Sequence, residues 1–256
     1  MFVVEVAFDV YEDTPISVAE RAIMQLFDAW RHNGQVTGRE LPTIMEEGSL
    51  VLRAVCPEAD SLHPEHHSNI VRHALKGLGQ AGLTQPRVRC LGQDLFSDST
   101  DPCDKPSWQL LYTTFVHSCS PLRCGDHFLP IPLYRLPALA NGDHKLLLRW
   151  QDDWMACDQL QMNGVSAEQA CLKEMGDHQS PMARRGRDFC KRLEILSGVP
   201  TYYYLYRVGG ESQETEANRP CPCCGQPWRL AESLHGVVDF KCDACRLVSN
   251  LSWDFQ

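Results

Sequence analysis

Four cysteines near the C-terminus form the most constraining pattern in this sequence. Cys221 and Cys224 are separated by two residues, a 17-residue gap follows, and Cys242 and Cys245 repeat the spacing. A Cys-x-x-Cys turn presents two sulfurs on one side, and two such turns joined by a hairpin place four sulfurs at the corners of a tetrahedron. Zn²⁺ prefers this arrangement. The pattern therefore predicts one structural zinc ion, held by Cys221, Cys224, Cys242 and Cys245.

Cys223 leaves one ligand of this site open. It lies between the members of the first pair and is an alternative to Cys224. The two-residue spacing favours Cys221 with Cys224, and Gly225 follows them where a tight turn needs a residue that tolerates positive φ. The alternatives to a zinc site are a redox-active dithiol pair and thiols without metal.

The remaining cysteines bear on the cellular compartment. The chain has 13 cysteines, an odd number, and its first residues lack the basic segment of a secretory signal. We therefore expect reduced thiols or metal ligands in the cytoplasm rather than a disulfide framework. No apolar run approaches the roughly 18 residues of a membrane span, so no membrane partner is expected.

Alternating and helical hydrophobic patterns predict an α+β fold. Residues 2–10, 49–56 and 86–91 have strand character, and helical patterns follow Ser17 and Ser68. The order strand, helix, strand, helix, strand predicts a ferredoxin-like sandwich over residues 1–105. A capping box is predicted at Ser17 with Glu20, and Gly34 is predicted to end the first helix.

A mixed and mainly helical region is predicted for residues 106–208. It begins with a strand at 107–116 and an irregular segment at 118–142, and helices are predicted at 152–162, after Ser166 and after Ser180-Pro181. An aromatic strand, 201–208, ends it. The acidic stretch 209–218 is predicted to be a linker, and residues 219–256 are predicted to form the zinc ribbon.

The chain resembles a family of uncharacterised bacterial proteins described as containing a zinc ribbon and as candidates for nucleic-acid binding. The segments that carry the resemblance span much of the chain: Ser-Pro-Leu-Arg-Cys-Gly-Asp (120–126), Pro-Leu-Tyr-Arg-Leu-Pro (132–137), Pro-Thr-Tyr-Tyr-Tyr-Leu-Tyr-Arg (200–207), Cys-Pro-Cys-Cys-Gly-Gln-Pro-Trp-Arg-Leu (221–230) and Leu-His-Gly-Val-Val-Asp-Phe-Lys-Cys-Asp-Ala-Cys-Arg-Leu-Val-Ser-Asn (234–250). The resemblance implies a zinc ribbon and a nucleic-acid partner, and it implies no reaction.

A second group of metal-ligand types lies within 11 residues of the middle region. It comprises His117, Cys119, Cys124 and His127. These residues form a candidate second metal site, although two packed thiols and two exposed imidazoles would give the same pattern. An enzyme that uses segment 117–127 is the third function considered, and the sequence contains no phosphate-binding glycine loop and no common hydrolase motif.

The leading hypothesis for function is non-catalytic binding of nucleic acid or a nucleoprotein complex. The candidate contact residues are Arg184, Arg185, Arg187, Lys191 and Arg192 in a predicted basic helix, together with Arg229, Lys241 and Arg246 in the ribbon. A net charge of −9 argues against broad, non-specific binding to phosphates. The alternative is a protein-interaction module whose zinc is purely structural.

Overall fold

A computed structural model describes residues 1–139 and 142–255. The described residues form two compact units. The first contains residues 1–100, 118–120 and most of 129–145, and the second contains residues 101–117, 121–128 and the chain from 146 to the end of the described range. The chain is therefore a mixed α+β protein, as predicted. None of the helices in the described ranges has the length and hydropathy of a membrane span.

The first unit is built on a four-stranded antiparallel sheet within the described residues. Its elements in chain order are β1 (Phe2–Asp9), α1 (Ile16–Asn33), β2 (Thr43–Glu46), β3 (Ser49–Cys56), α2 (Asn69–Gln80) and β4 (Arg87–Gln93), with 3₁₀ turns at Pro64–His66 and Leu133–Arg135. The strand order is β2-β3-β1-β4. This βαββαβ order gives the N-terminal part a ferredoxin-like arrangement, as the sequence predicts.

One face of this sheet forms the core with α1 and α2. Val4, Val6 and Phe8 alternate along β1 and are buried with Trp30 of α1. The period-2 alternation and the helical stripe predicted from the sequence therefore meet in one cluster. Gly34 ends α1 at φ +83°, as predicted.

Two predicted helix starts are wrong. The carbonyl of Pro15 accepts hydrogen bonds from Val18 and Ala19, so α1 begins at Ile16 and Ser17 does not cap it. The later helix begins one residue after its predicted start, because it follows Ala167 rather than Ser166, and Ala167 has φ +58° and makes no side-chain cap. By contrast, Ser180 caps the next helix through its hydroxyl, which accepts from the Ala183 N–H.

The second unit is built on a six-stranded sheet within the described residues. Its elements are β5 (Gln109–Leu111), β6 (Leu122–Cys124), α3 (Lys145–Asn163), α4 (Glu168–Gly176), α5 (Pro181–Ser197), β7 (Thr201–Leu205), α6 (Gln213–Ala217), β8 (Arg229–Leu234), β9 (Val238–Cys242), β10 (Leu247–Ser249) and a 3₁₀ turn, Trp253–Phe255. The strand order is β6-β5-β7-β10-β9-β8. Pairs β5–β7 and β7–β10 are parallel, and the others are antiparallel.

The central strand β7 explains the aromatic run in the sequence. Tyr202, Tyr203 and Tyr204 are all buried, so none of them offers an open face for stacking on a base. A Cβ at Gly186 of α5 would lie 2.1 Å from the Tyr203 ring, so this glycine is what lets α5 pack closely on β7. Trp150 of α3 meets the same ring edge-on at 5.9 Å.

The C-terminal strands belong to this same sheet. Leu247 of β10 pairs in parallel with Tyr203 of β7, so the ribbon strands continue the sheet that the middle region begins. The sequence predicts a domain boundary between residues 208 and 219, whereas in the structure the strands on both sides of it share one sheet.

Residues 209–218 are also not a plain linker. They contain α6, whose Glu216 is buried and pairs with Arg207 and Arg219.

Candidate metal centre

The first cysteine turn is a closed backbone loop. The Gly225 N–H donates to the Cys221 carbonyl at 2.8 Å, and the Cys221 N–H donates to the Gln226 carbonyl at 2.9 Å. Gly225 has φ +73°, a conformation that glycine adopts without a steric penalty. The sequence Cys221–Gly225 therefore folds locally so that the sulfurs of Cys221 and Cys224 lie on one side.

The second turn repeats this geometry with an arginine at the corresponding position. Cys242 ends β9, Cys245 follows, and Arg246 has φ +52°. Such a backbone costs a non-glycine residue about 1–2 kcal/mol. The Arg246 side chain offsets this cost, because it binds both carboxylate oxygens of Glu194 at 2.9 Å and donates to the Asp243 carbonyl at 2.8 Å. These hydrogen bonds hold the pKa of Glu194 below its usual value.

The two turns bring four sulfurs together. The Sγ atoms of Cys221, Cys224, Cys242 and Cys245 all lie within 4.8 Å of one another. The Cys224–Cys242 separation is 3.7 Å. A tetrahedron with metal–sulfur bonds of about 2.3 Å has edges of about 3.8 Å. The four predicted ligands therefore form a cluster that fits a tetrahedral metal ion.

Cys223 lies outside this four-sulfur group among the described residues. Its side chain is exposed, and its sulfur lies 3.7 Å from Arg187 Nη2 of α5. The geometry therefore supports Cys224 rather than Cys223 as the second ligand of the first turn.

The cluster also favours loss of a proton from one thiol. The backbone N–H of Gln226 and the neighbouring cysteines lower the pKa of Cys224 to about 7, whereas burial raises the pKa of Cys221. A thiolate at Cys224 would give a cation its first sulfur ligand, and metal binding would displace the remaining protons.

A layer of side chains ties the cluster to the sheet. Trp228 is buried against Phe240, with ring centroids 5.2 Å apart, and its indole N–H donates to the Arg219 carbonyl. The Arg219 guanidinium lies 4.1 Å from the Phe240 ring centroid and 4.9 Å from that of Trp228. Trp228 is therefore buried beside the cluster, whereas Trp253 stays partly exposed.

Most of the predicted basic contact residues interact with other groups of the protein. Carboxylates pair with four of them: Arg185 with Asp153, Arg192 with Asp188, Lys241 with Asp243 and Arg246 with Glu194. Lys241 also lies over the Trp108 and Tyr202 rings, and Arg229 lies over Phe240. Among the described residues, Arg184 and Lys191 of α5 are exposed and make no ion pair.

Only two of the four residues predicted for a second metal site lie together in the structure. Cys124 and His127 lie together, but their third partner is Asp101, and His117 and Cys119 are outside the group among the described residues. The His127 Nδ1 lies 2.9 Å from Asp101 Oδ1 and 3.7 Å from the sulfur of Cys124. The sulfur of Cys103 lies 3.7 Å from the same nitrogen.

Sequence spacing could not identify Asp101 and Cys103 as neighbours of His127. They precede Cys124 by 23 and 21 residues, and only the pairing of β5 with β6 brings the two segments together.

The metal-free thiols of this group are poor nucleophiles. Burial raises the pKa of Cys124 to about 11, and burial and nearby carboxylates raise that of Cys103. Both thiols therefore remain protonated near neutral pH. Without a cation to displace their protons, these thiols therefore supply no thiolate nucleophile near neutral pH.

Three family models match consecutive parts of this chain. Each is described as a domain of unknown function: DUF8589 over residues 1–92, DUF2310 over residues 103–206 and DUF8594 over residues 210–255. The last two matches together cover the strands that form the single six-stranded sheet.

Two bacterial proteins from Haemophilus influenzae are similar to the chain, and both are described as uncharacterised. One is 44% identical over 100% of both chains, and the other is 52% identical over 69% of this chain and 87% of its own length. The chain therefore belongs to an uncharacterised bacterial family that includes these Haemophilus proteins.

Solved structures share only distant similarity with part of this chain. A candidate antibiotic biosynthesis monooxygenase from Caulobacter crescentus is 14% identical and matches 36% of this chain and 90% of its own, with a TM-score of 0.29. Another protein described as an antibiotic biosynthesis monooxygenase matches 36% of this chain and 98% of its own, with 10% identity and a TM-score of 0.28. Similarity at this level supports no functional argument.

Proposed function

We propose that Cys221, Cys224, Cys242 and Cys245 bind one structural Zn²⁺ and that β8, β9 and β10 form a zinc ribbon. The observation that supports this is the 3.7 Å sulfur separation in a cluster of four cysteines. Zinc suits four thiolates because it is borderline-soft and has no geometric preference that opposes a tetrahedron. Four protein ligands leave no open coordination position, so the zinc stabilises the fold and takes no part in catalysis. The many thiols suit a cytoplasmic location.

The protein acts by binding a partner protein, and the zinc fixes part of the binding surface. The observation that carries this proposal is an aromatic cavity of about 470 Å³ in the second unit. Its lining includes Phe115, Trp154, Tyr206 and Trp253, and it also includes Val116 and Met162, which are strongly exposed. An apolar cavity with exposed apolar residues at its edge is typical of a site that receives apolar side chains.

The ribbon is connected to this cavity through its last strand. Trp253 follows β10, and the Trp253 N–H donates to the Arg207 carbonyl at 3.3 Å. Leu251, two residues before Trp253, is also fixed, because its N–H donates to Asp239 Oδ2 of β9 at 2.6 Å. A metal ion that holds β9 against β10 would therefore also hold Trp253 in the cavity wall.

Nucleic acid is the second candidate partner, and one contact favours it. Arg187 of α5 lies beside Cys223, so α5 and the first cysteine turn form one continuous surface that also exposes Arg184 and Lys191. The charge on this surface is small. Each phosphate contact adds about 0.9 to the slope of log K against log salt concentration, so three cations give a slope of only about 2.7 and a weak interaction. A net charge of −9 opposes that interaction further, and the protein partner is therefore preferred.

Paired variants test the protein partner. Met162 is 62% exposed and lines the cavity, whereas Val165 is 87% exposed and lies outside the lining. Full-length protein with Met162→Glu should lose cross-links to a partner that the wild type captures in cell extract, and Val165→Glu should retain them. Equal capture by the Met162→Glu variant would remove the cavity from the proposal.

A fluorescence anisotropy titration tests nucleic acid. Single- and double-stranded DNA and RNA are titrated across a salt series, with Arg184→Gln/Lys191→Gln as the variant and Arg185→Gln, whose arginine already pairs with Asp153, as its control. Binding that is lost only in the double variant would favour the second candidate. Absence of binding at low salt would eliminate it.

A further inference from the structure

We propose that Asp101, Cys103, Cys124 and His127 form a second zinc-binding site, independent of the four-cysteine ribbon. The donors come from two segments of the second unit, the loop before β5 and the turn after β6. Their donor atoms are two sulfurs, one imidazole nitrogen and one carboxylate oxygen. This set differs from the one predicted from sequence spacing, because Asp101 and Cys103 replace His117 and Cys119.

The three distances from His127 Nδ1 to the other donors are close to those of a tetrahedral metal site. The His127 Nδ1 lies 3.7 Å from the sulfurs of both Cys103 and Cys124, and 2.9 Å from Asp101 Oδ1. With zinc–ligand bonds of about 2.3 Å to sulfur and 2.0–2.2 Å to nitrogen and oxygen, a tetrahedron has edges of about 3.6 Å and 3.4 Å for these pairs. His127 Nδ1 and Asp101 Oδ1 would have to move apart by about 0.5 Å to reach the tetrahedral distance. Asp101, Cys124 and His127 already lie within 4.8 Å of one another, whereas Cys103 lies outside this group and would move toward the metal from its place beside His127.

Hydrogen bonds outside the donor set hold the two segments together. Asp126, in the turn between Cys124 and His127, accepts from both the N–H and the hydroxyl of Ser107. The Gly125 N–H donates to the Trp108 carbonyl at 2.9 Å, and a Cβ at Gly125 would lie 2.1 Å from the Trp108 ring. The turn is therefore fixed against the segment that carries Cys103 and Asp101, as a metal site requires of its supporting residues.

The ribbon hairpin supports the same turn from the other side. His235, between β8 and β9, lies with its Nε2 2.7 Å from the Gly125 carbonyl and stacks on Phe128 at 5.1 Å. These contacts position the backbone of the turn and leave His127 to the donor group. The turn is thus braced by β5 and by the ribbon, both within the second unit.

The donor types and their burial select the metal class. Two sulfurs and an imidazole favour zinc over Mg²⁺ or Ca²⁺, which prefer oxygen ligands. The Asp101 side chain is fully buried, whereas that of His127 is 45% exposed. A metal ion here is therefore reachable from solvent, and a chelator should remove it faster than the zinc of the four-cysteine site, which has four sulfur ligands.

Metal analysis of the purified full-length protein tests this site. After dialysis against limiting Zn²⁺, the wild type should retain two zinc ions per chain, and His127→Asn and Cys103→Ser should each retain one. His117→Asn is the matched control, because it changes an exposed histidine of the same region that lies outside the donor group. It should retain two ions.

Variants of the other site separate this inference from the ribbon proposal. Cys242→Ser should retain one ion, and Cys242→Ser/His127→Asn should retain none. A wild type with one zinc ion that His127→Asn does not change would overturn the second site and leave the ribbon intact. Loss of one ion in both His117→Asn and His127→Asn, with two ions kept in Cys103→Ser, would also overturn it, in favour of the group predicted from sequence.

Cobalt substitution provides a readout that does not depend on stoichiometry. Co²⁺ bound by two thiolates should give about half the sulfur charge-transfer absorption of Co²⁺ bound by four thiolates. His127→Asn should remove the weaker component, and Cys242→Ser should remove the stronger one. A weaker component that persists in His127→Asn would mean that the metal is bound elsewhere.

Discussion

The N-terminal sheet and the C-terminal ribbon strands obtain their order from different interactions. In the N-terminal sheet, Val4, Val6 and Phe8 of β1 are buried under Trp30 of α1. In the ribbon, most residues of β8 are exposed, and its pairing with β9 is interrupted by a register shift between Arg229 and Leu234. A hairpin of this kind buries too little apolar surface to be stable alone. The four cysteines and the ion pairs around them therefore add to the apolar core that β9 and β10 share with β7, in which Phe240 and Val248 are fully buried.

This comparison shows which kind of sequence pattern encodes each region. Hydrophobic periodicity specifies the N-terminal sheet, because alternate residues of a strand must face the same core. Cysteine spacing marks the proposed ribbon, because a metal ion bound there would fix the distances between the four sulfurs whatever lies between them. Changes to one kind of interaction should therefore affect one region and spare the other.

Loss of one cysteine ligand gives the largest expected effect. Cys242→Ser should abolish metal binding at the ribbon cluster, because three thiolates and a serine hydroxyl bind zinc far more weakly than four thiolates. Structural zinc contributes about 10–16 kcal/mol of apparent binding free energy to small zinc domains. Residues from about 219 onward should then become sensitive to limited proteolysis, while a protease-resistant N-terminal fragment persists. Mass spectrometry of the fragments and metal analysis measure both effects.

Cys223→Ser is the matched control for this prediction. Cys223 lies in the same turn as Cys221 and Cys224 but outside the four-sulfur group among the described residues. It should retain the metal and the protease resistance of the wild type. A Cys242→Ser protein that kept its full metal content would show that the ligand set is wrong.

The regions also differ in how well the sequence predicts them. The β1 strand, the start of α5 at Ser180-Pro181 and the αL residue Gly34 follow from local pattern alone, and the structure agrees. Strand β2 was not predicted, since all of Thr43–Glu46 is exposed and carries no buried alternation. Pairing with β3 determines the conformation of β2, and this pairing produces no recognisable hydrophobic pattern in four exposed residues.

The interactions that fix the ribbon were harder to predict. The acidic composition of 209–218 suggests a solvated linker, but Glu216 is buried between Arg207 and Arg219 because α6 turns it inward. The amino-acid composition of a segment gives its charge, but it does not show which carboxylate forms a buried ion pair. Asp101 and Cys103 could not be predicted either, because the fold alone brings them close to His127.

A substitution in the N-terminal core should have the opposite pattern of effects, destabilising the N-terminal unit and sparing the cysteine cluster. Trp30 is completely buried in the N-terminal core and meets Phe27 edge-on at 5.1 Å. Trp30→Ala should lower the free energy of unfolding of this region by about 3–5 kcal/mol, because it removes a large buried side chain and leaves a cavity. The metal content of the ribbon cluster should stay at the wild-type value. Urea unfolding followed by circular dichroism, with metal analysis of the same sample, measures both quantities.

Phe96→Ala is the control for Trp30→Ala. Phe96 is an aromatic residue of the N-terminal unit that is almost fully exposed, so its removal should change stability by less than about 0.5 kcal/mol. If Trp30→Ala also released the metal, the two regions would not be separately stabilised.

Glu216 tests the ion pairs that lie beside the C-terminal strands. Glu216→Ala should lower the free energy of unfolding by about 3 kcal/mol, because it leaves the Arg219 guanidinium buried without its carboxylate. The value lies at the low end of the usual range since the Arg207 side chain is partly exposed. Glu214→Ala, in the same helix but exposed, should have almost no effect. Equal stabilities of the two variants would support a plain linker at 209–218.

The smallest expected effect concerns Asp158, in the wall of the aromatic cavity. Its carboxylate accepts from the Phe115 N–H at 2.9 Å and from Gln161 Nε2 at 3.1 Å, and burial raises its pKa above the ordinary value. A raised pKa means that the folded state holds this proton more tightly than the unfolded state does. Asp158 therefore stabilises the fold below its ordinary pKa, and this contribution is lost as the pH rises through the folded-state pKa.

Asp158→Asn removes this titration and keeps an oxygen that can accept from Phe115. Relative to the wild type, the variant should therefore gain stability between pH 4 and pH 7, by less than about 1 kcal/mol, the scale of one neutral hydrogen bond. Asp153→Asn is the control, because Asp153 lies on the same helix in an exposed pair with Arg185 that contributes little. Urea unfolding at both pH values, followed by tryptophan fluorescence, measures the difference. A variant that lost stability relative to the wild type over this range would mean that the Asp158 carboxylate is held by a cation rather than penalised by burial.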